Sequence, residues 1–141
     1  CFPVLLADSR RRVVAAVHAG WRGSIQNVVG ATIREMRERF GTQPEDLLAA
    51  IGPGIGACCY EVGAEVASQF RVLFPERNDL NERTKLDLAE ANRRCLIQTG
   101  VPTGRIEVAA LCTCCTPGEF HSYRRDRATA GRMTSVIGIS F

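Results

Sequence analysis

The sequence lacks the features that define several large functional classes. No apolar run reaches the ~18 residues of a membrane-spanning helix. No glycine-rich segment carries the Lys-Ser/Thr of a P-loop or shows GxGxxG spacing. The net charge is only +3, without the concentrated basic face that is typical of nucleic-acid-binding proteins. We therefore expect no membrane and no nucleic acid as partner, whereas a small anionic substrate is compatible with this charge.

The sequence also lacks an initiator methionine. It begins at Cys1, and the apolar residues that follow resemble a strand already in progress. We therefore expect residues 1–141 to be a single domain whose N-terminal part is missing from this chain. A chain of this length still buries enough surface to form a hydrophobic core.

Histidine is scarce, with two residues, whereas cysteine is abundant, with seven. The odd cysteine count and the absence of even spacing argue against a disulfide framework. Cys58 and Cys59 are sequence neighbours, as are Cys114 and Cys115, and neighbours pair poorly with each other. The pattern predicts a reducing compartment, hence the cytoplasm, with thiols that are free or metal-bound.

The order of the predicted elements indicates an α+β fold. Strands are predicted at residues 2–7 (covered on both faces), 13–17, 47–51, 105–111 and 133–141. Helices are predicted at residues 25–40, with Ser24 as N-cap and Gly41 as C-cap, and at residues 61–70 and 85–99. Because strands and helices alternate without a regular βαβ period, we expect a mixed β-sheet flanked by helices.

Cys1 and His18 stand at the two ends of the first predicted hairpin. A short connection between strands implies antiparallel pairing, which brings the hairpin ends together. A thiolate and an imidazole side by side could be two ligands of a zinc ion. They could equally be a nucleophile and its base, or a buried thiol and a strand-end histidine unrelated to each other.

Three arginines are candidates for binding an anion. Arg22 lies beside two glycines and a tryptophan, and Arg124 and Arg125 follow Tyr123. The planar guanidinium fork suits phosphate or carboxylate. The alternative is a set of ordinary surface arginines.

Two further patterns predict a structural role rather than a ligand-binding or metal-binding role. The Gly-Pro-Gly-Ile-Gly loop at residues 52–56 predicts a tight turn; the alternative is that its backbone N–H groups line a site. Cys112, Cys114 and Cys115 lack a second cysteine pair at zinc-site spacing, and His121 alone is not enough to complete a metal site.

Five segments, taken together, resemble the YfiH-like family, also called the laccase-domain or multicopper polyphenol oxidoreductase family. They are CFPVLLAD, VVAAVHAGWRG, IGPGIGACCYEVG, LCTCC and FHSYRRD followed by GRM. They occur in the family's order from Cys1 to the C-terminus. The resemblance implies a YfiH-like (CNF-like) α/β sandwich of which the N-terminal part is missing here.

The resemblance implies a metal site of one cysteine and two histidines. Two of these ligands match Cys1 and His18, and the third, a histidine, is expected upstream of residue 1. Zinc is the expected metal, with copper as the alternative. We further predict that Arg22, Arg124 and Arg125 act in catalysis. Tyr123 and Asp126 are predicted to bind substrate, and Asp126 could orient one of the arginines.

The activities that the resemblance implies concern purine nucleosides. They are phosphorolysis of adenosine, inosine, guanosine and methylthioadenosine, and hydrolytic deamination of adenosine. The expected partners are a nucleoside and phosphate, and the expected assembly is a monomer or small homo-oligomer. The alternatives are copper-dependent polyphenol oxidation and editing of peptidoglycan precursors. Two histidines in this chain are too few for several copper ions, which argues against a laccase mechanism.

Overall fold

The computed structural model describes residues 1–140, which form a mixed sheet with helices packed against it. The strands are β1 (Phe2–Asp8), β2 (Val13–Ala19), β3 (Leu48–Ile51), β4 (Glu61–Val62), β5 (Thr84–Lys85) and β6 (Ile106–Val108). The α-helices are α1 (Trp21–Ile25), α2 (Val28–Phe40), α3 (Ala64–Ala67), α4 (Leu88–Gln98) and α5 (Tyr123–Asp126). Short 3-10 segments lie at Pro44–Asp46, Ser68–Val72, Thr103–Arg105 and Arg127–Thr129.

The main sheet has the strand order β2-β1-β3-β6. β1 pairs antiparallel with both β2 and β3, and β6 pairs parallel with β3. β4 and β5 form a separate antiparallel pair. This arrangement confirms the predicted α+β fold with a mixed sheet flanked by helices. Among the described residues, no helix combines the length and apolar character needed to cross a membrane.

The hairpin of β1 and β2 turns at Asp8, whose carboxylate accepts hydrogen bonds from the backbone N–H groups of Arg10 and Arg11, both at 3.0 Å. Burial by itself raises the pKa of Asp8, but hydrogen bonds led by that of Arg11 outweigh it and lower the pKa. Arg12 then adopts a left-handed backbone with φ of 56°. The Asp-Ser-Arg segment therefore forms a turn that is stabilised by the Asp8 side chain and fixes the hairpin register.

One face of β1 is fully buried and the other is only half-buried. Val4 and Leu6 are completely inaccessible to solvent, because α2 and α4 pack on that face. Leu5 and Ala7 point to the opposite face, where Leu48 of β3 is 51% exposed. The prediction that this strand is covered on both faces is therefore wrong for the described residues: burial alternates with the two-residue period of a strand.

The predicted helix at residues 25–40 is interrupted. α1 ends at Ile25, and α2 restarts at Val28 after Asn27, which has φ of 52° and caps α2 by accepting a hydrogen bond from the Gly30 N–H. Asn tolerates this left-handed conformation better than most residues. Ser24, the predicted cap, is buried instead and donates to the carbonyl of Gly20. Gly41 ends α2 as predicted, with φ of 70°.

The remaining differences come from pairing that local sequence does not reveal. Residues 61–62 and 84–85 pair as β4 and β5, so the helices predicted at 61–70 and 85–99 begin later, at Ala64 and Leu88. Asp87 caps α4 through the N–H of Glu90. Residues 133–140 of the predicted last strand form no strand, because no neighbouring strand pairs with their backbone, and Phe141 lies outside the described residues.

Candidate metal centre and anion-binding surface

Hairpin pairing brings Cys1 and His18 together. His18 pairs with Pro3 and Ala19 pairs with Phe2, so Cys1 lies beside Gly20 at the open end of the hairpin. Strand alternation buries Val17 and Ala19 and leaves the His18 side chain exposed. Cys1 Sγ and His18 Nε2 lie 3.0 and 3.9 Å from the point that a Cβ on Gly20 would occupy. The two side chains therefore converge on the space that the glycine leaves open.

The donor atoms of this pair fit a metal ion. A thiolate sulfur and an imidazole nitrogen are the protein ligands that zinc favours. Within residues 1–140, neither Cys1 nor His18 makes a side-chain hydrogen bond that would compete with a metal. The missing side chain of Gly20 keeps the region between the donors unobstructed. The pair thus supplies two ligands of a candidate metal centre.

The glycine-rich loop at residues 52–56 packs directly on the start of β1. A Cβ on Gly54 would lie 2.5 Å from the carbonyl oxygen of Cys1 and from the ring of Phe2. A Cβ on Gly52 would lie 2.8 Å from Cγ of Pro3. Only glycine permits so close an approach, so the loop positions the backbone at Cys1 by packing.

Two arginines, Arg22 and Arg124, lie close enough to Tyr60 for their charges to act on its hydroxyl. Burial raises the pKa of Tyr60, while the positive charges of Arg124 and Arg22 act in the opposite direction. The guanidinium of Arg124 lies 5.4 Å from the centroid of the Tyr60 ring. The positive charges of both arginines therefore act on the same side chain, Tyr60.

Arg22 and Arg124 retain unused hydrogen-bond donors. Arg22 is exposed at the start of α1 and stacks 4.2 Å over the ring of Trp21, with no hydrogen bond to the described residues. Arg124 donates through one nitrogen to the carbonyls of Glu61 at 2.9 Å and Cys59 at 3.4 Å. The rest of each guanidinium fork is free of protein acceptors within residues 1–140.

Arg125 is different because its five N–H donors are all engaged. It binds both carboxylate oxygens of Asp126, at 2.6 and 2.7 Å. It also donates to the carbonyls of Thr113, Cys114 and Phe120 at 2.8 to 3.1 Å. A guanidinium offers no more than five donors, so Arg125 ties α5 to the loop after β6. The prediction that it contacts phosphate stays untested.

Asp126 and Tyr123, the two predicted substrate contacts, differ in their surroundings. Asp126 also accepts from the N–H of Ser122, and its bond to Arg125 is the main cause that lowers its pKa. Tyr123 is 65% exposed at the first turn of α5. Sequence reasoning did not single out Tyr60; its one signal is its position directly after the glycine-rich loop and two cysteines.

A second group of donor atoms lies in the loops after β3 and β6. The sulfurs of Cys58, Cys59, Cys112 and Cys115 all lie within 4.8 Å of one another. Burial by itself raises the pKa of Cys112. Hydrogen bonds from backbone N–H groups, led by that of Gly56, outweigh this effect and lower the pKa to about 6. All seven cysteines are free thiols. Sequence reasoning missed this group because the partner pair lies more than 50 residues away in the chain.

The fold and the site define an α+β protein with a candidate metal centre at the end of a β-hairpin. In comparison with known proteins, the family described as "Multi-copper polyphenol oxidoreductase laccase" matches residues 1–140. The chain belongs to this family. Among solved structures, YlmD from Geobacillus stearothermophilus superposes with a TM-score of 0.85 at 37% identity, covering 93% of this chain and 51% of that one.

Curated relatives carry enzyme names. A "Purine nucleoside phosphorylase" of Deinococcus radiodurans is 44% identical over 99% of this chain and 54% of its own length. A protein of the same name from Bacteroides thetaiotaomicron is 41% identical, with the same coverage. "Adenosine deaminase RL5", from an unknown prokaryotic organism, is 37% identical over 97% of this chain and 54% of its own length. The chain thus spans about half the length of these relatives.

Proposed function

We propose that this chain carries part of the active site of a zinc-dependent purine nucleoside phosphorylase, with hydrolytic deamination of adenosine as an additional activity. The observation that carries the proposal is the convergence of Cys1 Sγ and His18 Nε2 at the open end of the hairpin. Arg22 and Arg124, whose charges both act on Tyr60, add guanidinium donors that no described residue uses. The names of relatives at 41% and 44% identity support purine nucleosides as the substrate class.

Cys1 and His18 are the proposed metal ligands from this chain. The family resemblance adds a histidine expected upstream of residue 1, and relatives twice as long leave room for it. Three protein ligands and an open position are typical of catalytic rather than structural zinc. When bound, zinc would supply Lewis-acid chemistry at that position.

Arg22 and Arg124 are the proposed phosphate ligands. In phosphorolysis, a phosphate oxygen bonds to the anomeric carbon of the ribose while the bond from that carbon to the purine nitrogen breaks. The purine leaves with the bonding electron pair and takes up a proton from solvent or phosphate. The two guanidinium forks would orient the phosphate and balance its charge during attack.

Arg125 and Asp126 are proposed as positioning residues for Arg124. Their ion pair has N–O distances of 2.6 and 2.7 Å. Arg125 also binds carbonyls of the loop after β6, so the pair holds α5 against that loop. The neighbouring Arg124 extends from this anchored turn toward Tyr60. The exposed ring of Tyr123 is available for stacking on a nucleoside base.

A reducing, cytoplasmic location fits the proposal because all seven cysteines are free. Nucleoside and phosphate are the proposed partners, taken up by a monomer or small homo-oligomer. Copper-dependent phenol oxidation is the competing activity, since the family description names it. The two histidines of this chain do not provide ligands for several copper ions.

The experiment compares full-length wild-type protein with the variant His18→Ala. Each is supplied with inosine and phosphate, and hypoxanthine release is followed. We expect phosphate-dependent release by the wild type and its loss in His18→Ala, together with the zinc of this site. His121→Ala is the matched control, because His121 is the other histidine, is exposed, and is not a proposed metal ligand.

Three results would contradict the proposal. The first is wild-type protein that releases no hypoxanthine and deaminates no adenosine. The second is a His18→Ala variant as active as His121→Ala. The third is protein that contains several copper ions per chain and oxidises phenols, which would favour the competing activity.

A further inference from the structure

The loops after β3 and β6 meet because these strands are parallel neighbours. The carboxyl ends of parallel strands lie at the same edge of a sheet. Cys58 and Cys59 follow β3, and Cys112 and Cys115 follow β6. Cys115 Sγ lies 3.5 Å from Cys58 Sγ and 3.3 Å from Cys59 Sγ. Two cysteine pairs from distant parts of the chain thus form one group of four thiols.

The spacing of the sulfurs matches a tetrahedral metal site. Four thiolates around zinc at about 2.3 Å are separated from each other by about 3.8 Å. The four sulfurs all lie within 4.8 Å of one another, and two of the pairs are separated by 3.3 and 3.5 Å. Tetrahedral coordination by four sulfurs is diagnostic of zinc or iron. Cys58 and Cys115 are exposed, which leaves an entry path for an ion.

The backbone around the four thiols is already organised. Gly54 and Cys112 form an isolated parallel bridge, closed by hydrogen bonds from Gly54 N to Leu111 O and from Thr113 N to Gly54 O. The N–H of Gly56 donates to Cys112 Sγ at 3.2 Å. Such outer contacts orient a thiolate ligand and stabilise its charge.

We propose that Cys58, Cys59, Cys112 and Cys115 bind a second zinc ion in a closed, structural site. Four protein ligands leave no open position for substrate, in contrast to the centre at Cys1 and His18. The ion would connect the loop after β3, which packs on Cys1, to the loop after β6, which Arg125 binds. It therefore stabilises the surroundings of the candidate active site without taking part in the reaction.

The test is the zinc content of full-length protein purified under reducing conditions. We expect two zinc ions per chain in the wild type and one in the double variant Cys58→Ser/Cys115→Ser. His18→Ala loses the other ion, so combining all three changes removes both. Cys114→Ser is the matched control: Cys114 lies in the same loop but outside the group of four, so this variant keeps both ions.

A measurement on the wild type covers the case in which the double variant fails to fold. Replacing zinc by Co²⁺ should produce a strong thiolate-to-cobalt absorption band in the wild type and in His18→Ala. The proposal is overturned if His18→Ala shows no such band, or if Cys114→Ser loses as much metal as the double variant. Reduced protein that binds no metal at the four cysteines, and forms a disulfide between them on exposure to air, would also overturn it.

Discussion

Replacing Gly20 by alanine should separate metal binding from folding stability. Gly20 has φ of −83° and ψ of 174°, an extended conformation that alanine adopts without strain. Where the backbone is compatible, Gly→Ala stabilises a protein by about 0.4–1 kcal/mol by restricting the unfolded chain. We therefore expect the metal-free variant to be as stable as the wild type, or more stable by that amount.

The new methyl group would affect the two donor atoms instead. It would lie 3.0 Å from Cys1 Sγ and 3.9 Å from His18 Nε2. Carbon contacts are optimal at about 3.5–4.0 Å, so the Cys1 sulfur must move away from the new methyl group. Disturbing the surroundings of a metal ligand typically lowers affinity by about 10–100-fold, and we expect a loss of that size.

The assay is competition for zinc against a chelator, with urea unfolding of the metal-free protein measured in parallel. Gly104→Ala is the control, because no atom lies within 4 Å of the position that its Cβ would take. The reasoning is refuted if Gly20→Ala binds zinc as tightly as Gly104→Ala. It is also refuted if the metal-free Gly20→Ala protein is clearly less stable than the wild type.

Three further predictions concern the anion site, the helix break and the hairpin turn. Arg22→Ala should raise the KM for phosphate and lower kcat/KM by about 10²–10³-fold, and Arg22→Lys should restore only part of this loss. The assay is steady-state kinetics with inosine, and an unchanged KM for phosphate in Arg22→Ala would contradict the prediction. Asn27→Ala should lower the free energy of unfolding by about 0.5–2 kcal/mol for the lost cap and by about 1–2 kcal/mol more for the left-handed backbone. Asn27→Gly should lower it by only a few tenths of a kcal/mol. Equal urea midpoints for the two variants would contradict the backbone contribution. Asp8 has a folded-state pKa below its unfolded value, so its contribution to stability is present above about pH 4 and is lost as the pH falls through the folded pKa. Asp8→Asn should weaken this acid dependence in unfolding curves, and an unchanged dependence would count against the turn's role.

The parts of the fold that depend on local sequence were predictable. The hairpin follows from two apolar runs joined by a short polar connection, and Gly41 marks the end of α2. Cys1 and His18 belong to that hairpin, so their proximity was a hypothesis available from spacing alone. The break at Asn27 was not predictable from apolar periodicity, because the same apolar spacing continues across it.

The parts that depend on distant segments were not predictable from spacing. The charges of Arg22 and Arg124 act on Tyr60 only because the sheet and α5 bring three distant segments near one another. The same is true of the four thiols, whose two pairs are separated by more than 50 residues. Loop closure over such distances is decided by the tertiary packing of the sheet, which a local pattern does not encode.

Metal reconstitution tests whether the ion at Cys1 and His18 is a catalytic zinc. Full-length protein is stripped of metal, zinc or copper is returned, and hypoxanthine release from inosine and phosphate is measured for the wild type and His18→Ala. We predict that zinc restores phosphorolysis in the wild type and not in His18→Ala. Phosphorolysis that returns equally in both proteins, or that needs no metal at all, would contradict a catalytic zinc at Cys1 and His18.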